Sequence, residues 1–308
     1  MSLIIFGSIN MDLVAQVPHL PHKGETLQGT NFFTTPGGKG ANQAVAAAKL
    51  GITTEFVGRV GGDKFGEELI TSLQNYSVIT NHLLIDKSTN SGIAIISVDN
   101  QGDNEIIVIP GANGIINETD VNRLTQILTD KTALLLQLEI PMSAVIAAAK
   151  AAKAAGVMVI LDPAPVQANI PEELYPLIDI ITPNEVETGE LVGFVIDSQE
   201  AAFLAGKNLC YRGVKNAIVK LGEKGVICVT AKESFFVPAF AVNTVDTVAA
   251  GDAFNGALAA ALCEGLTLHQ AVVWGAAAGA LAATKPGAQA SLCDRDELEK
   301  FLKERGVE

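Results

Sequence analysis

Leu3-Ile4-Ile5-Phe6 is an unbroken apolar run closed by Gly7. A strand with one wet face alternates apolar and polar residues, so this run reads as a strand covered on both faces, as in a parallel sheet. From Leu13 to Thr35 the pattern turns strand-like and turn-rich, punctuated by Pro18, Pro21, Gly24 and Gly29, and does not read as a crossover helix. Residues 54–61 read as a further strand and 64–75 as an amphipathic helix. Residues 91–98 and 105–109, separated by an Asp-Asn-Gln-Gly-Asp-Asn turn, read as a hairpin. With residues 13–35 the hairpin predicts a small antiparallel sheet set on an α/β body. Apolar strands standing off a body expose a hydrophobic face, which either covers a site or meets a second copy of the chain.

From Ala133 onward the two periods alternate. Strand-like runs at 133–138, 157–161, 178–181 and 217–220 are separated by helical stretches at 143–155, 185–191 and 199–211. Such βαβ alternation argues a parallel, doubly wound sheet. Alanine-rich helices follow, at 253–262 and 267–283, and a charged helix closes the chain. No internal repeat, low-complexity tail or interdomain linker interrupts the pattern. The predicted fold is α/β: a doubly wound, mostly parallel sheet flanked by helices, in one domain over 1–308, with a small antiparallel β lid from about 13–35 and 91–110.

Polar residues recur where these strands end: Asn10 and Asp12, then Glu139, Asp162, Asn184 with Glu187, and Lys220 in a turn with Gly222 and Gly225. In open α/β sheets, ligands bind just beyond the carboxyl ends of the strands. Each residue alone reads more readily as a cap or turn than as a ligand group. Several on one rim is a less ordinary coincidence. Asn10 and Asp12 share a face of an extended segment, and a carboxylate can accept from two neighbouring hydroxyls, the natural grip on a sugar diol. The block Thr35-Pro36-Gly37-Gly38-Lys39-Gly40-Ala41-Asn42 then lets a ligand approach the backbone at a helix start. It has neither the Walker spacing nor G-x-G-x-x-G, and a helix entry without a ligand accounts for it equally well. Lys39 and Asn42, three apart on a first turn, can face one pocket.

The most loaded stretch is Asp246-Thr247-Val248-Ala249-Ala250-Gly251-Asp252, running into an alanine- and leucine-rich helix. Ala249, Ala250 and Gly251 should present backbone N–H groups at the positive end of that helix, a site suited to a phosphoryl group. Asp252 beside them could take a proton from an attacking hydroxyl. Aspartate is also a preferred helix cap, and on its own that reading is as good. The run of tiny residues before it tilts the balance, since a cap does not require them.

At 308 residues and 48% hydrophobic, the chain can bury a sizeable core. A net charge of −13 argues against nucleic-acid or anionic-membrane partners, so an anionic substrate must be held by local donors. Cys210, Cys228, Cys263 and Cys293 lie far apart, which indicates neither a disulfide framework nor a zinc site and fits a reducing cytoplasm. No apolar run approaches the roughly 20 residues that span a bilayer, and no basic leader precedes the first strand.

The Gly-Gly-Lys-Gly-Ala-Asn-Gln-Ala block at 37–44, followed by Gly51 and Gly61, and the Asp-Thr-Val-Ala-Ala-Gly-Asp block at 246–252 resemble the ribokinase family of sugar and nucleoside kinases, over essentially the whole chain. Gly-Ser-Ile-Asn-Met-Asp at the start and Pro-Gly-Ala-Asn at 110–113 are more similar to the ribose-phosphorylating branch than to the fructokinase or adenosine kinase branches. The resemblance implies an ATP-dependent kinase acting on the ribose 5-hydroxyl, with Asp252 as base and the 249–251 amides as anion hole. It implies sugar-binding roles for Asn10, Asp12, Gly38, Lys39, Asn42 and Glu139. Asn184 and Glu187 match an element associated with magnesium and phosphate placement. Lys220, Gly222 and Gly225 match the turn under the nucleotide. Asp246, Val248, Ala282, Lys285, Gly287 and Ser291 match positions that hold potassium, mostly through backbone oxygens. Ala276 stands where some members place a histidine or asparagine against the base, which leaves nucleotide preference open. A homodimer through the lid is expected. Within the family the alternatives are fructokinase, deoxyribokinase, 2-keto-3-deoxygluconate kinase or a nucleoside kinase. Outside it, a dinucleotide-dependent oxidoreductase lacks its fingerprint, and an intact Asp252 argues against a non-catalytic sugar-binding regulator.

Overall fold

The computed structural model describes residues 2–128, 133–167 and 169–307. β1 (Ser2–Phe6) is buried along its whole length. Leu3 and Ile5 enter one hydrophobic core, and Ile4 and Phe6 enter another. Both faces are therefore covered, which is why the run carries no polar alternation. On its two sides lie β4 (Thr53–Gly61) and β8 (Ala133–Leu136), both parallel to it, with Ile5 opposite Phe56 and Leu135. β5 (Ile79–Asp86) lies beyond β4. Beyond β8 come β9 (Met158–Leu161), β10 (Ile180–Ile181) and β11 (Asn216–Lys220), again parallel. β12 (Gly225–Thr230) and β13 (Ser234–Pro238) finish that edge antiparallel, because the short turn after Lys220 leaves no room for a crossover helix. The mostly parallel sheet is as expected; β5 and the β12–β13 pair add to it.

Chain order reverses at β1, with β4 and β5 built outward on one side and β8 to β11 on the other. Loops leaving β1 and β8 diverge there, which opens a crevice beyond the carboxyl ends of the strands. Helices cover both faces. α1 (Lys39–Lys49), α2 (Lys64–Asn75), α7 (Ala250–Cys263), α8 (Leu268–Ala282) and α9 (Arg295–Glu304) close one core. α3 (Glu118–Thr125) and α4 (Met142–Ala154) close the other, while α5 (Glu185–Val192) and α6 (Gln199–Tyr211) pack toward β11. α3 is an addition to the expected set.

α7 is apolar on nearly every side because it runs between α1 and α8. A Cβ added to Gly256 would lie 2.4 Å from Ala46 Cβ and 2.8 Å from Gln43 O. Only glycine lets the two backbones come this close, and their approach sets the first turn of α7 against the first turns of α1.

A second sheet has the order β3 (Asn31–Gly37), β2 (Asn10–Gln16), β6 (Gly92–Val98), β7 (Asn104–Ile109). Its outer pairs are antiparallel, as expected. The central β2–β6 pair is parallel, with Asn10 opposite Gly92. The reason lies in the body: β2 follows β1 and β6 follows β5, so both leave the same edge of a parallel sheet in the same direction. Phe32 and Ile107 are each 62% exposed on this sheet, and every residue of β7 is exposed. Among the described residues, no helix is long and apolar enough to cross a membrane.

Candidate active site

A cavity of about 950 Å³ opens beyond the carboxyl ends of β9, β10 and β11, with Lys39, Asp162, Glu187, Lys220 and Asp252 among its lining. Each reaches it from the end of an element. Lys39 opens α1, Asp162 follows β9, Lys220 ends β11 and Asp252 sits in the first turn of α7. Gly222, Gly225, Asn184 and Gly251 also line it, so the expected nucleotide residues converge. Phe240, Val242, Ala276 and Ala280 give it an apolar wall, the environment a planar base needs.

Asp252 is not the helix cap. Ala249 holds the N-cap position, in the left-handed region at φ 59 with no side-chain cap bond. An alanine there costs about 1 kcal/mol, strain of a kind that gathers at functional sites. The Asp252 carboxylate turns inward instead, Oδ2 accepting from Asn42 Nδ2 at 2.9 Å and Oδ1 from Gln43 Nε2 at 2.9 Å. Burial raises its pKa, against the pull of the Lys39 ammonium and of the two amides, while Asp162 pushes it further up. The amides before it differ from expectation in one respect. Ala250 N–H turns back to Thr247 O at 3.2 Å, which leaves fewer free donors at this helix start than the sequence suggests. Lys220 supplies positive charge alongside: its Nζ lies 3.6 Å from where a Cβ on Gly251 would stand, and 3.4 Å from Asp162 Oδ1.

Of the expected sugar residues, Lys39 and Asp252 line this cavity, Asn42 bonds Asp252 directly, and Asn10, Asp12, Gly38 and Glu139 lie outside its lining. Glu139 Oε2 accepts from Ser8 Oγ at 2.5 Å and from Lys39 N–H at 3.3 Å, which ties the loops after β1 and β8 to the start of α1. Asp12 on β2 has its pKa raised to about 7, through burial and then the neighbouring charges of Glu139 and Asp252. Lys39 loses ground to burial but gains more from Asp252, Asp162, Glu139 and Glu187, and its pKa rises. Asn10 is buried, its Oδ1 accepting from Asn113 Nδ2 at 2.8 Å. Gly38 caps α1 with its backbone against Ile9 and Asn10.

Asn184 and Glu187 form a capping box on α5, with Asn184 N–H donating to Glu187 Oε2 at 2.8 Å and Glu187 N–H to Asn184 Oδ1 at 2.8 Å. Local structure thus accounts for their spacing. Glu187 nonetheless remains on the cavity wall, its pKa raised by burial with Lys220 opposing. Of the positions matched to potassium, Asp246, Val248 and Gly287 are joined directly. Asp246 accepts from Val248 N–H at 3.0 Å and from Gly287 N–H at 2.9 Å, and Val245 N–H donates to Ala283 O at 2.8 Å. Ser291 Oγ donates to Ala288 O at 2.8 Å, while Lys285 Nζ points away to Glu297 at 2.7 Å.

The pfkB family carbohydrate kinase profile matches residues 1–295. The chain belongs to this family. A ribokinase from Haemophilus influenzae is 39% identical over 301 residues, covering 98% of each chain. A deoxyribokinase from Salmonella typhi is 34% identical over 302 residues, covering 98% of this chain and 99% of its own. The structure of Arabidopsis thaliana ribokinase complexed with ribose and ATP superposes with a TM-score of 0.89 at 36% identity, covering 98% of both chains. As a pfkB carbohydrate kinase, the protein phosphorylates a sugar with ATP.

Ser8, Gln43 and Gln137 are buried polar groups that bond the expected site residues or one another and that the sequence analysis gave no role. Gln43 had a signal, a long amide inside the run Ala41-Asn42-Gln43-Ala44-Val45 on a buried helix face. Ser8 and Gln137 show nothing beyond following a strand. A test of the Asp12 position comes from Gly37, where an added Cβ would lie 2.2 Å from Asp12 Oδ2. Gly37→Ala should displace that carboxylate, raising the sugar KM about tenfold with kcat within about threefold, as loss of one charged hydrogen bond predicts in steady-state kinetics.

Proposed function

We propose that this carbohydrate kinase transfers the γ-phosphoryl group of ATP to the 5-hydroxyl of D-ribose. Asp252 acts as general base and the 249–252 backbone as anion hole. The observation that carries the reading is the placement of the Asp252 carboxylate: inside the cavity that Lys220 and Gly251 also line, and electrostatically coupled to Lys39 and Asp12. Phosphoryl transfer asks chiefly for in-line positioning, charge neutralisation and a base within reach of the nucleophile. In this reading Asn10, Asp12, Lys39, Asn42 and Glu139 hold the sugar, and Asp12 accepts from two adjacent hydroxyls. Lys220 and the amides around Gly251 receive the charge on the transferring group. Ala276 and its apolar neighbours take the base of the nucleotide.

Glu187 would hold Mg2+ with the phosphates, since a carboxylate that remains costly to bury beside Asp162 is a suitable hard oxygen donor. Bound there, the ion would neutralise phosphate charge. A potassium ion fits the loop pair joined by Asp246, where backbone carbonyls of Val248, Ala282, Lys285, Gly287 and Ser291 suit a large monovalent cation. The second sheet serves as the lid, excluding water that would otherwise compete as acceptor.

A coupled ADP-release assay over ribose, deoxyribose, fructose, 2-keto-3-deoxygluconate and adenosine tests the substrate. Ribose should give the highest kcat/KM, and equal or better turnover of a competitor rejects the assignment. Deoxyribose is the second reading, favoured by the 34% identity to a deoxyribokinase. A 2-deoxy sugar leaves one acceptor of the diol grip unpaired, so ribose should be preferred by about 10- to 100-fold.

The apolar outer strands of the lid also favour a homodimer through that sheet. Ile107→Asp, at a position 62% exposed, should shift the chain from dimer to monomer in sedimentation velocity. A parent chain that sediments as a monomer rejects the dimer.

A further inference from the structure

Gln43 is completely buried, and its amide divides two N–H bonds between two carboxylates. Nε2 donates to Asp252 Oδ1 at 2.9 Å and to Asp162 Oδ2 at 2.9 Å. Its Oε1 accepts from Gln137 Nε2 at 2.6 Å, and Gln137 is likewise buried. The two carboxylates fix the amide orientation, because the reversed amide would aim a carbonyl at both. Asp162 in turn meets Lys220 Nζ at 3.4 Å. A continuous chain of polar contacts therefore runs from Gln137 through Gln43 to Asp252 on one branch, and to Asp162 and Lys220 on the other.

We infer that Gln43 is a positioning residue that aims the Asp252 carboxylate and couples it, through Asp162, to Lys220 at the phosphate side of the cavity. The inference rests on Asp252 being the base. Each Asp252 oxygen then holds one amide donor, from Asn42 or Gln43, and keeps a lone pair for the sugar hydroxyl. The charged groups that face Asp252 are Lys39 on α1, Asp162 after β9 and Asp12 on β2. A purely structural Gln43, holding α1 against α7 and β8, would leave the titration of the base untouched.

Gln43→Met keeps the volume and removes both donors. In the full-length enzyme, kcat should fall about 10- to 100-fold with the sugar KM within about threefold. The acidic limb of the kcat profile should move up by about one pH unit, since a donor to the ionised form has gone. Gln137→Met, which touches the base only through Gln43, should move kcat and the limb the same way by a smaller amount, and it decides the matter if Gln43→Met fails to fold. Variants that lose melting temperature but keep the parent's acidic limb overturn the inference, as do variants with the parent's kcat and limb. A parent that phosphorylates no sugar instead overturns the reading of the site itself.

A second inference stands on a different cluster. His19, His22 and Glu25, in the loop between β2 and β3, each bring one ligand atom within 4.8 Å of the others, all exposed. The turn holds them: Glu25 N–H donates to His22 O at 3.0 Å, and His22 N–H to Glu25 Oε2 at 2.9 Å. We propose that this His-x-x-His-x-x-Glu set binds a divalent transition metal such as Zn2+, with two imidazoles, one carboxylate and water. Bond lengths of about 2.0–2.1 Å need the donors only modestly closer, which exposed rotamers allow. Equilibrium dialysis of tag-free protein against Zn2+ alone, at pH about 7.5, should show one site that His19→Ala/His22→Ala removes. Equal zinc uptake by parent and variant, or none by the parent, overturns it.

Discussion

Asp252→Asn should lower sugar phosphorylation at least about a thousandfold while sugar affinity stays within about threefold, the signature of a group that acts only in the transition state. The amide has nearly the shape of the carboxylate but cannot take a proton from the attacking hydroxyl. Its single oxygen also cannot serve both Asn42 Nδ2 and Gln43 Nε2, each now 2.9 Å from a separate carboxylate oxygen. One buried donor loses its acceptor, at a cost of about 1–3 kcal/mol in stability. The measurement pairs ADP-release kinetics with calorimetric sugar binding and a melting curve. Turnover at the parent rate would remove Asp252 from the role of base.

The second large effect is expected at Asp12. Asp12→Asn should weaken sugar binding about 100-fold, because a bidentate charged acceptor becomes a single neutral one. The same change should stabilise the sugar-free protein. Burial, with Glu139 and Asp252 nearby, raises the folded pKa to about 7 from 3.8. The folded state therefore binds the proton more tightly than the unfolded chain does. The resulting stability is fully present below pH 3.8 and is lost as pH rises through about 7. At pH about 8 the parent carries the whole cost of a buried charge, and the variant does not. Melting temperatures should separate more at pH about 8 than at pH about 5, by a few degrees, with the variant higher. In the parent, kcat/KM for the sugar should rise as Asp12 ionises near pH 7. A variant that binds sugar normally, or that melts lower at pH about 8, contradicts this account of Asp12.

Much of the architecture was legible because burial writes itself into local pattern. The Leu3-Ile4-Ile5-Phe6 run announced a strand covered on both faces, and the boundaries of α6 were read correctly to the residue. The small residues before Asp252 announced a helix start, and that start lies on the cavity wall. The failures have physical reasons. Ala249 makes the turn by itself, in a left-handed conformation that alanine rarely adopts and that its residue type does not announce. The parallel β2–β6 pairing depends on how two distant strands leave the body, which no local window contains. α3 and the β12–β13 pair lie outside the alternation that carried the rest. Gln43 was visible as an odd amide among alanines, but its meaning depends on Gln137, Asp162 and Asp252, all remote in sequence and joined only by folding.

The bond between Asn42 and Asp252 joins residues 210 positions apart, across the α1–α7 contact that Gly256 permits. On the ribosome, where chains emerge from the N-terminus, α1 is made long before the helix that covers its buried face. A chain truncated before residue 250 leaves that face and the core shared with α7 open to water. The cavity is complete only when translation is nearly finished.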